Sequence, residues 1–326
     1  MKSFAVSSVL ALAQLCLSAP TPTVDAIEDR SIEKRASVTD VATVGYATLN
    51  GGTTGGKGGA TTTVSTLAQY TAAVAGNTAA VVVVSGTING PAKNVKIGSN
   101  KTIIGLKGAQ LINVGNIIRD QKNIIIRNLK LSKVLAENGD AIGVQSSTNI
   151  WLDHLDVSSD RDHDKDYYDG LIDLTHAADF ITVSNTYLHD HWKASLVGHS
   201  DSNAKEDTGH LRVTYVGNHW SNINSRAPSL RFGTAHIFNS YFDVNDGINT
   251  RDGAQALVEN NVFVGSKNPL YSTDAGYAVA KGNDFGEGNN TALAGTLNSV
   301  PYSYSLVATG SVKASVVGTA GQTLSF

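Results

Sequence analysis

Apolar residues along this chain fall in short β-branched runs, not in long helical stripes. Val81-Val-Val-Val84, Ile124-Ile-Ile126 and Ile150-Trp-Leu152 are each followed within a few residues by Gly, Asn or another turn former. Such runs read as buried strands. Several close on a recurring unit, Asn, any residue, aromatic: Asn185-Thr-Tyr187, Asn218-His-Trp220, Asn239-Ser-Tyr241, Asn261-Val-Phe263 and Asn283-Asp-Phe285. Looser members stand at Asn128 and His154. The intervals from 128 onward are 26, 31, 33, 21, 22 and 22.

The last three intervals set a base period near 22, the length of one coil of a parallel β-helix with three short strands and three turns. Three nearly equal consecutive spacings argue against chance recurrence in an Asn-rich sandwich. Equivalent residues of successive coils stack. The recurring Asn is therefore expected at a turn, where it tolerates unusual φ and bonds the Asn of the next coil, and the aromatic is expected in the core. Thr66-Leu-Ala-Gln69 fits a capping box, an Ala-rich run follows and Gly76 can close it, which predicts a short helix plugging one end. Val81–Val84 is expected as the first buried strand.

The N-terminus reads differently. Lys2, the apolar stretch from Phe4 to Leu17 and the small pair Ser18-Ala19 predict a signal peptide over 1–19, too short to span a membrane. Residues 20–35 are polar, end in Lys34-Arg35 and read as a pro-segment with a dibasic site, leaving 36–326 as one all-β domain. Secretion to the extracellular space follows. The single cysteine, Cys16, lies in the signal segment, so a regular backbone ladder must replace disulfides. Asn100-Lys-Thr and Asn289-Asn-Thr are glycosylation candidates. Charged residues are only 16% and net charge is -3, which excludes charge-rich disorder and a coiled coil and gives no electrostatic case for nucleic acid or an anionic membrane. A solenoid with capped ends is expected to be monomeric.

Insertions in a solenoid become loops on the working face. The longest intervals, between 128 and 218, hold Asn138-Gly-Asp140, the acidic run Asp160 to Asp169, Asp173 and Lys193; Arg226-Ala-Pro228-Ser-Leu-Arg231 follows. Asp160, Asp162 and Asp164 match the first ligands of an EF-hand, but Lys165 stands where Gly is required, so Asp160–Asp166 reads as a solvated acidic loop. Asp169 and Asp173 flank the β-like Gly170-Leu-Ile-Asp-Leu174. Carboxylates at the edge of a core need a compensating cation, and hard oxygens suit calcium. Arg226 and Arg231 bracket Pro228, an arrangement able to grip a carboxylate-bearing substrate, with surface salt bridges as the plainer alternative. Gly51-Gly-Thr-Thr-Gly-Gly56-Lys57 lacks the Ser or Thr of a phosphate loop and reads as a flexible turn. His189-Asp-His191 has no third zinc ligand at convincing spacing and reads as structural or solvated.

From about Gly45 to the C-terminus the chain resembles the pectate/pectin lyase family of secreted polysaccharide lyases. The resemblance rests on Asn138-Gly-Asp140-Ala-Ile, Ile150-Trp-Leu-Asp-His154, Asp169-x-x-x-Asp173 and Arg226-x-Pro228-x-x-Arg231. It implies a right-handed parallel β-helix and calcium-dependent β-elimination of polygalacturonate, with Asp140, Asp169 and Asp173 as calcium ligands. It implies further that Arg226 is the base and that Lys193 and Arg231 hold substrate carboxylates. Asn138 stands where many members have Asp, and can ligate through its carbonyl; Asp169 stands where many have Glu. Weaker calcium binding before substrate arrives is the expected consequence. Asp153 and His154, though part of the family marker, read as structural. Pectin lyase, acting on methyl-esterified polymer without calcium, is the neighbouring alternative, disfavoured by the retained carboxylates and only three Trp. Polygalacturonase is disfavoured because Gly198-His-Ser replaces its Gly-His-Gly. A non-catalytic wall-binding solenoid is the alternative from another class.

Overall fold

The computed structural model describes Met1 and residues 36–326; residues 2–35, on which the expected signal peptide (1–19, apart from Met1), the expected pro-segment (20–35) and Cys16 fall, lie outside the described residues. Residues 36–326 wind into a parallel β-helix. One ladder of eleven strands, all in parallel register, runs from Ala60–Val64 through Lys122–Arg127, Thr148–Asp153 and Asp179–Ser184 to Leu293–Ala294. Two further ladders diverge from the ten-residue strand Gln110–Arg119, whose first part pairs with Lys130–Ser132 and whose last part pairs with Ile142–Gln145. The second ladder continues through Asp156–Ser158, Tyr187–Lys193 and His219–Ser225. The third continues through Ile172–Thr175, Leu196–Val197 and Ser229–Arg231. Each coil thus has three strands, as the period near 22 requires.

The expected aromatic core is present, but the repeat proves to be two interleaved rows. In the interior, Leu188, Trp220, Phe242 and Phe263 share one register position, with Trp220 and Phe242 rings 5.7 Å apart and Phe242 and Phe263 4.5 Å apart. Tyr187 and Tyr241 fall one position earlier and face outward, in register with His219. The left-handed turn position is taken by Asn128, His154, Asn185, Gly217, Asn239, Asn260 and Gly282, with φ between 47° and 63°. Asn218, Asn261 and Asn283 sit one residue later, and their amide oxygens accept from the backbone N–H of Thr186, Ser240 and Asn261 in the preceding coil, at 2.9, 3.0 and 2.9 Å. One asparagine row thus bends the chain and the other ties coils together, because Gly and Asn both relieve the left-handed turn.

The helix forms over Leu67–Val74: Thr66 accepts from the Gln69 N–H and Gln69 Oε1 accepts from the Ser65 N–H, while Tyr70 and Val74 enter the core. An additional strand, Ala60–Val64, precedes it. Four of its five residues are exposed, so no hydrophobic pattern announced it. The glycine-rich segment is not a flexible turn. Gly55 and Gly56 are buried, donating to Asn123 Oδ1 and Thr102 Oγ1, and a Cβ on Gly56 would collide with the Ala80 carbonyl. Glycine is required there because one backbone lies against another.

At the other end, the helix Thr309–Val316 lays Val312 and Val316 on Tyr241. The last residues then return to the opening coils. Leu324 N–H donates to Asn128 Oδ1 at 2.8 Å, Ser325 carbonyl accepts from Ala36 N–H at 3.0 Å, and Phe326 packs on the cluster of Val81, Val83 and Ile104. No helix among the described residues is long and apolar enough to cross a membrane. Of the two sequons, Asn289 is exposed, whereas the Asn100 amide donates to the Asn77 carbonyl and accepts from Asn123.

Candidate active site

The corner where the second ladder passes into the third collects the chemistry. Ala141 N–H donates to the Gly170 carbonyl, Leu171 N–H to the Ala194 carbonyl, and Ser195 N–H to the Arg226 carbonyl. Asp140, Asp169-Gly170, Lys193 and Arg226 therefore stand on four successive coils at one corner, brought together from widely spaced sequence positions by ladder pairing alone. Asp173 follows on the third ladder, in register with Gly143 one coil before it.

Two carboxylates close on Gly170. Asp140 Oδ1 accepts from the Gly170 N–H at 3.1 Å, and a Cβ on Gly170 would collide with Asp173 Oδ1. Asp173 Oδ1 also accepts from the Leu196 N–H at 3.0 Å. Burial, followed by the charges of Asp173 and Asp169, raises the Asp140 carboxyl well above its ordinary value. Burial pushes Asp173 up to about 7, with Asp169 adding to the rise and Arg226 opposing it. Like charges sharing one desolvated corner explain both directions.

The cations differ in how they are held. Lys193 Nζ donates to Asp166 Oδ1 at 2.8 Å. Arg226 sits in the left-handed region with φ 59°, and among the described residues its guanidinium makes no hydrogen bond or salt bridge. Arg231 donates through Nε to Asp201 Oδ1 at 2.6 Å and through a terminal nitrogen to the Gly198 carbonyl, with Asp252 3.3 Å away. Asn138 is buried and its amide nitrogen donates to Asn113 Oδ1; none of its hydrogen bonds reaches the three aspartates. Among the described residues no set of three Asp, Glu, His or Cys side chains forms a closed metal-binding group.

The acidic loop divides. Asp162 and Asp164 are exposed as expected, but Asp160 accepts from Tyr168 and pairs with His163, and Asp166 holds Lys193. Asp164, Lys165, Trp192, Lys193, Asn224 and Ser225 line a cleft of about 300 Å³ beside the corner. His189 lies between Asp156 and Asp190, and burial lowers the His191 imidazole to about 4. Asp153 is spent on the far ladder, accepting from Arg127 and Ser184, with His154 2.8 Å away.

A family model described as pectate lyase matches residues 31–325. The chain belongs to the pectate lyase family. It is accordingly a polysaccharide lyase. Pectate lyase A of Aspergillus niger is 64% identical over 312 residues, 95% of this chain and 94% of that one. Pectate lyase A of Emericella nidulans is 60% identical over 312 residues, covering 95% of each. Among solved structures, a pectate lyase from Bacillus sp. N165 in complex with trigalacturonate superposes with a TM-score of 0.78 at 34% identity, over 86% of this chain and 98% of that one.

Within the family frame, sequence reasoning missed Asp166, Gly170 and Asp201. Asp166 and Lys193 are 27 residues apart, close to one enlarged coil, and that spacing was the available signal. Gly170 gave none, because its role is the absence of a side chain between two carboxylates.

Proposed function

We propose that this corner cleaves polygalacturonate by β-elimination, in a protein exported to degrade plant cell-wall pectin. The observation that carries the reading is the convergence of Asp140 and Asp173 on Gly170, with Asp169 beside them and on the same corner Arg226, whose guanidinium has no partner among the described residues. Trigalacturonate bound to the Bacillus sp. N165 relative supports the substrate class.

Asp140, Asp169 and Asp173 repel one another at a desolvated corner without closing on a common point, and a hard divalent cation drawn between them relieves that repulsion; their oxygen chemistry suits calcium and its flexible coordination. Asp140, Asp169 and Asp173 would hold the ion; when bound it withdraws charge from the uronate C6 carboxylate and makes the C5 proton more acidic. Lys193 and Arg231 hold carboxylates of the polymer. Asp166 and Asp201 occupy these cations in the free protein, so substrate exchanges one carboxylate for another at each. Neutral Arg226 takes the C5 proton; the electrons of the C5–H bond form the C4–C5 double bond, and the C4–O bond breaks with its electron pair leaving on the glycosidic oxygen, which takes a proton from water. A guanidinium is ordinarily protonated. Its use as a base demands a cationic neighbourhood, supplied in part by Lys193, and an alkaline operating pH.

The test is ultraviolet absorbance of unsaturated uronide released from polygalacturonate, with and without chelator, beside a methyl-esterified pectin control. Absorbance abolished by chelator and restored by calcium is expected. Chelator-insensitive turnover confined to the esterified polymer favours pectin lyase, and binding without product favours a non-catalytic solenoid. We propose also that the mature chain is monomeric and carries sugar at Asn289 in preference to Asn100.

A further inference from the structure

A cavity lies away from the corner. It measures about 540 Å³ and is lined by, among others, Asn77, Lys96, Ile117, Arg119, Asp120 and Gln121. Its place in the ladder gives it meaning. Lys96 pairs with Ile117, Ile117 with Gly143, and Gly143 with Asp173, so these four residues form one outward row of the third ladder. A second outward row runs from Arg119 through Gln145 and Thr175. Arg231 continues that row, because it follows Leu230 as Thr175 follows Leu174, and those two core residues are joined through Val197. Both rows begin at a cation lining the cavity; one reaches Asp173 of the catalytic corner and the other Arg231 on the same face.

The interval from Lys96 to Asp173 is three coils, about 14 Å at the spacing of paired strands. Little stands in it: Gly143 has no side chain and Ile117 is nearly buried. Lys96 is exposed and makes no salt bridge or hydrogen bond among the described residues. Arg119 donates through Nε to Gln145 Oε1, which leaves its terminal nitrogens. The side-chain oxygens of Asn77 and Gln121 are taken by Ser99, so both amides present their NH2 groups. Against these donors the lining has one carboxylate, Asp120.

We propose that this cavity is a distal subsite for the uronate polymer, in which Lys96 and Arg119 bind carboxylates of sugars a few residues from the point of scission. The inference rests on the reading that the corner acts on a polyuronate. A polymer with one carboxylate per sugar, laid along the two rows, meets a cation at the cavity end of each row, Lys96 or Arg119, and at the far ends the aspartate cluster of the corner and Arg231. Short oligomers reach the corner only, and long ones span both sites, so the cavity selects for chain length.

The double variant Lys96→Gln/Arg119→Gln changes exposed side chains, and a circular dichroism melt serves as the control for folding. On long polygalacturonate its KM is expected to rise about three- to tenfold, the loss of two partly solvated ion pairs, with kcat unchanged. On trigalacturonate KM is expected to stay at the wild-type value. An unchanged KM on the polymer, or an equal rise on the trimer, overturns the proposal. Calorimetric binding of long polygalacturonate to Arg226→Lys, with and without the double change, reads the cavity without turnover. Wild-type protein that releases no unsaturated product sinks the proposed function alone, whereas equal affinities in the calorimetric pair sink the distal subsite alone.

Discussion

The first and third ladders carry buried acids of the same type in opposite circumstances. On the first, Asp153 is 1% exposed yet fully answered: Arg127 at 2.8 Å, Ser184 at 2.7 Å and Asn185 at 3.1 Å. Burial pushes its carboxyl up, but the close approach of His154, the Arg127 charge and the Ser184 hydrogen bond outweigh it and hold Asp153 below the usual range. On the third, Asp173 has one backbone donor and faces other carboxylates, and burial leaves it near 7. Both environments desolvate a carboxyl; only one neutralises it. A charge with all its partners inside the chain is architecture, and a cluster of like charges beside an open groove is waiting for something from outside.

The sharpest way to break that contrast is Arg226→Lys. It keeps the charge and the fold but removes the group offered as base, so turnover should fall more than about a thousandfold with an unchanged melting curve. Retained activity would assign the proton transfer elsewhere. Asp153→Ala should do the reverse. Removing the buried partner of Arg127 costs about 3 kcal/mol of stability, while kcat per folded molecule stays at the wild-type value; denaturant melts and active-site titration separate the two. Asp173→Asn should raise the calcium concentration for half-maximal activity by about tenfold, because a carboxylate ligand becomes a neutral amide. A calcium titration that superposes on wild type would remove Asp173 from the ion's shell.

The smallest effect sharpens the comparison through pH. On the first ladder, burial lowers His236 from 6.5 to about 4 despite Glu259, so the unfolded chain takes up the proton first and stability rises as pH climbs from 4 to 6.5. Asp173 is raised from 3.8 to about 7, so in metal-free protein the folded state holds the extra proton and stability falls over that window. In chelator, Asp173→Asn should therefore show a steeper rise of Tm between pH 4 and 7 than wild type, by a few degrees. Parallel Tm curves would mean that Asp173 is not desolvated as described.

The architecture was legible because a solenoid writes its period into the sequence, and Asn218, Asn261 and Asn283 stack as the intervals implied. The phase of the repeat was not. The left-handed turn accepts either Gly217 or Asn239 at equivalent positions, so counting asparagines mixed two rows. Among site residues, the corner assembles Asp140, Asp169, Asp173 and Lys193, which lie on the longest intervals, with Arg226, which follows them on the next coil. Arg231 is placed on the same face, but its engagement by Asp201 could not be read from a string in which 30 residues separate them. Ala60–Val64 escaped because threonines on an exposed edge carry no hydrophobic signature.

The returning C-terminal residues have a consequence for how the molecule comes apart. Coils that touch only their neighbours can peel from either end in independent steps. Here Phe326 rests on Val81 and Val83 while Leu324 clasps Asn128, so the final segment bolts late coils to early ones. Fraying from the front requires the back to let go as well, which turns a zipper into a closed loop that opens in one cooperative event.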